Sequence, residues 1–327
     1  MRALVTGGAG FIGSHLCEAL LAAGHRVVAI DDLSTGSESN IHPLIEHSHF
    51  QFVLETIANE AVMDRLVSEC TTVFHLAAAV GVELIVRDPV HTIETNVLGT
   101  SAVLRIANRY RRKVILASTS EIYGKSSDVP FREDGDRVMG PTIRSRWAYA
   151  TSKAMDEFLA LAYHKQRGLP VVICRFFNTI GPRQTGRYGM VVPRFVRQAM
   201  RGEPLTVYDD GQQSRCFADV ADVIEGVMRL ADHPAAVGEI FNLGNTEEIT
   251  ILDLARRVIT LTGSHSEIVL VPYEEAYEPG FEDMRRRVPD ISRAASLIGY
   301  RPRRSLDDTL CRIIAQYQEE GRGAGLA

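Results

Sequence analysis

VTGGAGFIGSH, residues 5–15, follows the short run Arg2-Ala3-Leu4 and opens the helical pattern SHLCEALLAAGH. Its glycines satisfy two spacings at once: Gly8, Gly10 and Gly13 as GxGxxG, and Gly7, Gly10 and Gly13 as GxxGxxG. Alone, such spacing also describes a plain glycine turn. A strand before it and a helix after it supply the context that phosphate binding needs. Small residues let the backbone approach a pyrophosphate, and the first helical turn offers unpaired N–H groups and a positive dipole end. Gly7, Gly10, Phe11, Ile12 and Gly13 are therefore expected to form a dinucleotide phosphate site.

RVVAIDD follows as a second strand and closes on Asp31. A carboxylate there accepts hydrogen bonds from the adenosine ribose hydroxyls and repels a 2′-phosphate, which favours NAD over NADP. Asp32 sits in the same turn-rich DDLSTG and is a second candidate for that role. Further along, TTVFHLAA, KVILAS and LPVVICRFF are expected strands, with helices from about Val90 to Tyr110 and over AYATSKAMDEFLALAYHKQRG. Strands alternating with helices predict an α/β fold, a Rossmann-type doubly wound parallel sheet with ligands at the carboxyl ends of the strands. Past residue 180 the pattern becomes loop-rich, which predicts residues 1–180 as the NAD-binding domain. Residues 181–327 are expected to form mainly a smaller α/β lobe for substrate, with returns to the first domain near 215–245.

STSEIYG, residues 118–124, lies where the apolar strand KVILAS ends, and places Thr119, Ser120 and Glu121 at its mouth. Some thirty residues later, RWAYATSKAMDEF carries Tyr149 and Lys153. Four residues apart on a helix, they share a face. An ammonium beside a phenol stabilises the phenolate, and a phenolate can take a proton from a hydroxyl while hydride leaves the same carbon.

TGGAGFIG, FHLAA, STSEIYG, YATSK, RFFNTIGPRQ and RCFADV together resemble the extended short-chain dehydrogenase/reductase family that modifies nucleotide sugars, in order along nearly the whole chain. The resemblance implies NAD as cofactor and a nucleoside-diphosphate sugar as substrate, oxidised at C4 to a ketone. By that likeness Tyr149 is the base at O4, Lys153 anchors the nicotinamide ribose, and Thr119 bonds the 4-hydroxyl. Ala77 and Asn96 border the cofactor, and Asn178, Arg187, Arg215 and Arg287 face the sugar or diphosphate. The third strand of such proteins usually ends in an aspartate beside the adenine. Here Thr56 stands in that place, so no adenine contact is assigned to it.

Three chemistries compete within this likeness. A 4-epimerase needs the tyrosine, the lysine and a hydroxyl, and has no use for Glu121. A 4,6-dehydratase usually carries an acid beside its glutamate, where this chain has Ser120. A decarboxylase converts a C6 carboxylate into a β-keto acid by oxidising C4, then must reprotonate C5, and Thr119 and Glu121 beside Tyr149 suit that. GPTIRSRWAYATSK, QQSRCFADV and YEPGFEDMRRRVPDISRA are similar to UDP-glucuronate decarboxylases, both the UDP-xylose synthases and the decarboxylase domain of the aminoarabinose route. The resemblance thus favours a UDP-glucuronate decarboxylase, then a 4-epimerase, then a dehydratase. A sugar-nucleotide sensor that keeps NAD for structure would not need the Tyr149 and Lys153 pair.

The 327 residues and 45% hydrophobic composition support a large core. A net charge of −5 with only short basic runs argues against nucleic acid as a partner. The five scattered cysteines form neither CxxC nor a metal-ligand pattern, no signal-peptide pattern opens the chain, and no apolar run approaches membrane-spanning length. A cytoplasmic setting, no membrane partner and no metal are expected. Family likeness also implies a homodimer packed through the helices near 92–110 and 150–167, where Phe158, Leu159 and Leu161 could serve interface or core.

Overall fold

The computed structural model describes residues 1–81, 88–186, 190–276 and 283–324. Its strands, in chain order, are β1 (Arg2–Thr6), β2 (Arg26–Asp31), β3 (Phe50–Leu54), β4 (Thr72–His75), β5 (Lys113–Thr119), β6 (Val171–Phe176) and β7 (Thr179–Ile180). There follow β8 (Leu205–Tyr208), β9 (Ser214–Cys216), β10 (Ala218–Asp219), β11 (Ile240–Leu243), β12 (Glu248–Thr250), β13 (Ile268–Val271) and β14 (Arg286–Arg287).

Seven strands make one parallel sheet in the order β11-β6-β5-β4-β1-β2-β3. Helices cover both faces, so the central strands are continuous apolar runs rather than alternating ones. On one face Leu16, Cys17 and Leu20 pack with Val223, Val227 and Leu230. On the other, Met63 and Leu66 pack with Val103, Leu104 and Ala160. The chain direction across the sheet reverses between β1 and β4, and a crevice opens there at the carboxyl ends of the strands. Register brings Thr6 beside His75, and Thr119 beside Phe176, at that edge.

A separate apolar cluster, built around Val192, Phe195, Leu205, Leu254, Val258 and Ile313, forms the core of the second lobe. The chain crosses back before that lobe is complete. Val220–Asp232 packs on the first core, and β11 pairs with β6 at the edge of the main sheet. In the second lobe β9 lies between β12 and β14, which sets Arg287 directly beside Arg215.

The helical stretch near 90–110 departs from a uniform helix. An α-helical turn at Pro89–Ile93 passes through a π-helical turn at Glu94–Leu98 before Gly99–Tyr110 continues as α-helix. Such wide turns re-aim a side chain, here Asn96. On the helix Ala148–Arg167, Phe158 is 64% exposed, whereas Leu159 and Leu161 pack against the core. Among the described residues no helix is long and apolar enough to cross a membrane.

Candidate active site

The crevice is a cavity of about 500 Å³ that runs from the glycine turn to the end of β5. At the glycine end the Gly7 N–H donates to the Ile30 carbonyl at 2.9 Å, and the Gly10 N–H donates to the Gly7 carbonyl at 3.1 Å. Gly7 has φ +69°, and a Cβ on it would lie 2.9 Å from the Ala77 nitrogen. A Cβ on Gly13 would lie 2.0 Å from the Gly7 carbonyl oxygen. The turn therefore closes onto the helix Phe11–Ala22 only without side chains.

Asp31 closes β2 with its carboxylate accepting from the Ala9 N–H at 3.0 Å and the Leu33 N–H at 2.9 Å. Burial pushes this carboxyl up, against the pull of those donors. Asp31 and Asp32 both line the cavity. Asp32 is exposed and accepts from the Ser34 N–H at 3.0 Å and its hydroxyl at 2.6 Å, as a turn residue does. The side-chain-free cradle, the helix start beside it and the acid at the next strand fit a dinucleotide with free ribose hydroxyls. Thr56, Glu55 and Ile57 line the same end.

At the other end, Thr119 caps the short turn Ser120–Tyr123 by accepting from the Glu121 N–H at 3.2 Å. The Tyr149 hydroxyl also bonds Thr119. Tyr149 and Lys153 are both buried and both line the cavity. The ammonium does not act on the phenol alone, because Lys153 Nζ donates to Asp156 at 2.8 Å. Burial pushes the Tyr149 phenol well above its ordinary range, and the charges of Glu121 and Asp156 add to this, while Thr119 and Arg287 oppose it. Desolvation dominates the phenol in this arrangement.

Glu121 is no ordinary loop acid. Its Oε1 pairs with Arg287 at 2.9 Å and its Oε2 accepts from Arg146. Burial favours the protonated form, but Arg146, Arg287 and Arg215 outweigh it and bring the carboxyl down to about 2. Asp283 completes the cluster, bound by Arg215 at 2.8 Å, with Arg146 at 3.9 Å and the Tyr273 hydroxyl at 3.2 Å. Among the described residues three buried arginines thus face two carboxylates. Of the run Arg285–Arg287 only Arg287 turns inward. Arg285 pairs with Asp210 and Arg286 with Glu248 at the exposed surface.

Beneath this end, Glu157 anchors β5 and β6 together. It accepts from Ser118 and receives Arg175 through both carboxylate oxygens at 3.0 and 2.8 Å.

Ser120 and Asn178 line the cavity. Asn178 sits at φ +30° and donates to the Cys216 carbonyl at 3.3 Å. Ala77 lines it too, its N–H donating to Thr6 Oγ1 at 3.1 Å. Arg187 lies outside the described residues. Arg215 stands behind the wall, held by Asp283 and by the Ser214 carbonyl. Asn96 also stands one layer back. Its Oδ1 accepts from the Ala79 N–H at 2.9 Å, and its Nδ2 donates to the Ala79 carbonyl and to Ser152 Oγ. It ties the loop after β4 to the helix of Tyr149 instead of reaching into the cavity. Arg146, Asp156 and Asp283 were missed by the sequence reading. Arg146 and Asp156 carried a weak signal, since each lies three residues from a member of the Tyr149 and Lys153 pair.

A parallel dinucleotide fold whose crevice holds a buried tyrosine and lysine on one helix defines a nicotinamide-dependent α/β enzyme. The chain belongs to the NAD dependent epimerase/dehydratase family, whose model matches residues 3–244. It is an enzyme, and NAD is its cofactor. It is 42% identical to a UDP-N-acetyl-alpha-D-glucosaminuronate decarboxylase of Bacillus cytotoxicus over 97% of this chain and 98% of that one. It is 37% identical to UDP-glucuronic acid decarboxylase 1 of Danio rerio, over 98% of this chain and 73% of the relative. Among solved structures, UDP-glucuronic acid 4-epimerase from Bacillus cereus, in complex with UDP-glucuronic acid and NAD, superimposes with a TM-score of 0.88 at 32% identity. That match covers 98% of this chain and 100% of the other.

Proposed function

We propose that the protein decarboxylates a UDP-hexuronate through a 4-keto intermediate, with UDP-glucuronate as the substrate and UDP-xylose or the UDP-4-keto-pentose as the product. The observation that carries this reading is the arginine cluster beside Tyr149: Arg146, Arg215 and Arg287 converge there with Glu121 and Asp283. Among the described residues Arg287 Nε is also buried with no hydrogen-bond partner. An anionic group on the sugar suits these guanidiniums, since a guanidinium fork binds a carboxylate through two oxygens.

When bound, NAD supplies the two-electron oxidation at C4 and its reversal. Tyr149 would first release its own proton, a loss that the positive charge of a bound nicotinamide would favour, and as phenolate would receive the 4-hydroxyl proton, with Thr119 holding both oxygens in line. The ketone makes the C6 carboxylate part of a β-keto acid, and loss of carbon dioxide leaves an enolate that needs a proton at C5. Glu121 is ionised as it stands and has none to give. A substrate carboxylate that enters and shares Arg146 and Arg287 changes this. A second carboxylate sharing those guanidiniums raises the Glu121 carboxyl, so Glu121 takes up a proton from solvent that it then delivers to C5. Arg146 and Arg287 thus act as clamps, and Asn178 helps to hold Arg287, whose Nη1 lies 3.5 Å from its Oδ1.

The test is incubation of the purified protein and NAD with UDP-glucuronate and with UDP-N-acetylglucosaminuronate, followed by mass spectrometry and proton NMR. Loss of carbon dioxide from one of them supports the reading and names the substituent accepted at C2. An unchanged mass with an inverted C4 signal would make the protein a 4-epimerase, the second reading, which the likeness to the Bacillus cereus enzyme favours. The same proposal places the protein in the cytoplasm as a homodimer, with Phe158 in the subunit contact; sedimentation of the wild type and Phe158→Glu checks that part.

A further inference from the structure

We propose that Asp156 is a positioning residue that fixes the Lys153 ammonium and sets how strongly its charge acts on the Tyr149 hydroxyl. This rests on Tyr149 being the base of the proposed reaction, but not on the identity of the sugar.

Tyr149, Lys153 and Asp156 fall on one face of the helix Ala148–Arg167. Lys153 is 3% exposed and Asp156 1%. An ammonium this deeply buried needs a counterion to offset its lost hydration. Asp156 Oδ2 supplies that counterion at 2.8 Å. It is dedicated to the task, because the neighbouring acid Glu157 is already held by Arg175. Thr100 hydrogen-bonds the same carboxylate from the neighbouring helix. A buried ion pair is a poor way to stabilise a fold, since apolar residues of similar size often do better. The charge of Asp156 is therefore what the site uses.

Asp156 also meets the cofactor wall through a line of buried groups. Thr100 lies beside it, and Thr100 Oγ1 is 3.0 Å from His75 Nε2. His75 Nδ1 is 2.8 Å from Thr6 Oγ1, which accepts from the Ala77 N–H. A hydroxyl oxygen has two acceptor lone pairs, so donor and acceptor along this line follow the His75 tautomer. Burial and the charge of Lys153 push His75 down to about 3, so it stays neutral in this line. Thr100 hydrogen-bonds Asp156 at its far end.

The groups that face Tyr149 are Glu121 and Thr119 from the end of β5, Arg287 from β14, and Lys153 and Asp156 from its own helix. Those that face Asp156 are Lys153 and Glu157 on its own helix and Thr100 on the helix Gly99–Tyr110. Substituting Asp156→Asn changes one charge among these and keeps the shape. The amide oxygen still accepts from Lys153, and the amide nitrogen can donate to Thr100.

The experiment places a fluorinated tyrosine at position 149, whose more acidic phenol titrates while the chain is folded, and follows it by fluorine NMR without substrate. In D156N the midpoint should fall by about one pH unit, a tenfold stronger acid, as expected for removal of a nearby like charge. The acid limb of the pH dependence of kcat in the otherwise natural chain should move the same way, with KM less affected. In K153M, where Asp156 is left unopposed, the fluorotyrosine midpoint should rise. A folded D156N with an unmoved or raised midpoint overturns the proposal. If D156N does not fold, Asp156→Ser, which also removes the charge, is read in the same way, and an unmoved or raised midpoint there overturns the proposal equally. The titration needs no product assay, so it stands or fails separately from the decarboxylase reading.

Discussion

Replacing Glu121 by Gln removes the anion shared by Arg146 and Arg287 while keeping the shape of the side chain. The structure sets the size of the effect. Glu121 titrates near 2 in the folded chain against an ordinary 4.5, and its side chain is 13% exposed, so solvent screens it little. A gap of that size corresponds to about 3 kcal/mol of stability, in line with the cost of breaking a buried ion pair. The sign follows from proton uptake. A carboxyl with a depressed folded value stabilises fully above its unfolded value, and the contribution drains away as pH falls from about 4.5 through about 2. Urea unfolding of wild type and Glu121→Gln should therefore differ by about 3 kcal/mol at neutral pH, and the difference should shrink below about pH 4.5. A difference that is absent at neutral pH, or that stays constant into acid, would refute the ion-pair argument. It would also remove the ground for letting a substrate carboxylate compete for these arginines.

Other expectations follow from single contacts. Gly13→Ala sets a methyl 2.0 Å from the Gly7 carbonyl, so calorimetry should show NAD binding weakened at least about tenfold by the displaced turn. Tyr149→Phe should abolish turnover while leaving NAD and sugar-nucleotide binding within about a few-fold, since only the proton-transfer group is lost. Arg287→Met should raise KM for a carboxylate-bearing sugar nucleotide at least about tenfold, the loss expected for one partner of a buried charged pair. His75 is neutral in the fold down to about 3, so between there and its ordinary 6.5 the unfolded chain binds the extra proton. Stability should fall toward acid by up to about 1.4 kcal/mol per pH unit in that window, and His75→Gln should flatten the slope.

Much of the fold was legible because its signals are local. Strand runs such as Val114-Ile115-Leu116 carry no polar alternation, which only a sheet covered on both faces permits. The glycine turn announces itself through its spacing, and the structure shows why no side chain fits there. The π-helical turn at Glu94–Leu98 was not legible, because the apolar period on either side of it is helical and the extra residue is accommodated by tertiary packing around Asn96. Nothing in the sequence showed that Asn96 ties the loop after β4 to the helix of Tyr149.

The site divides in the same way. Tyr149 and Lys153 are coupled by helix spacing alone, so their residue types and numbers were enough to pair them. Glu121 was visible as an acid at a strand end, but its ionisation was not. That depends on Arg146, which lies 25 residues away, and Arg287, which lies 166 away and arrives on β14 from the other lobe. The sequence by itself determined the parallel sheet, the NAD turn and the tyrosine and lysine pair, because each follows from backbone geometry over a few residues. The tertiary structure alone decided which charges share a buried space, that Lys153 has a counterion, that Glu121 is an anion, and that one arginine of three turns inward. Charge interactions act through space and strengthen with burial, and neither distance nor burial is a property of sequence order.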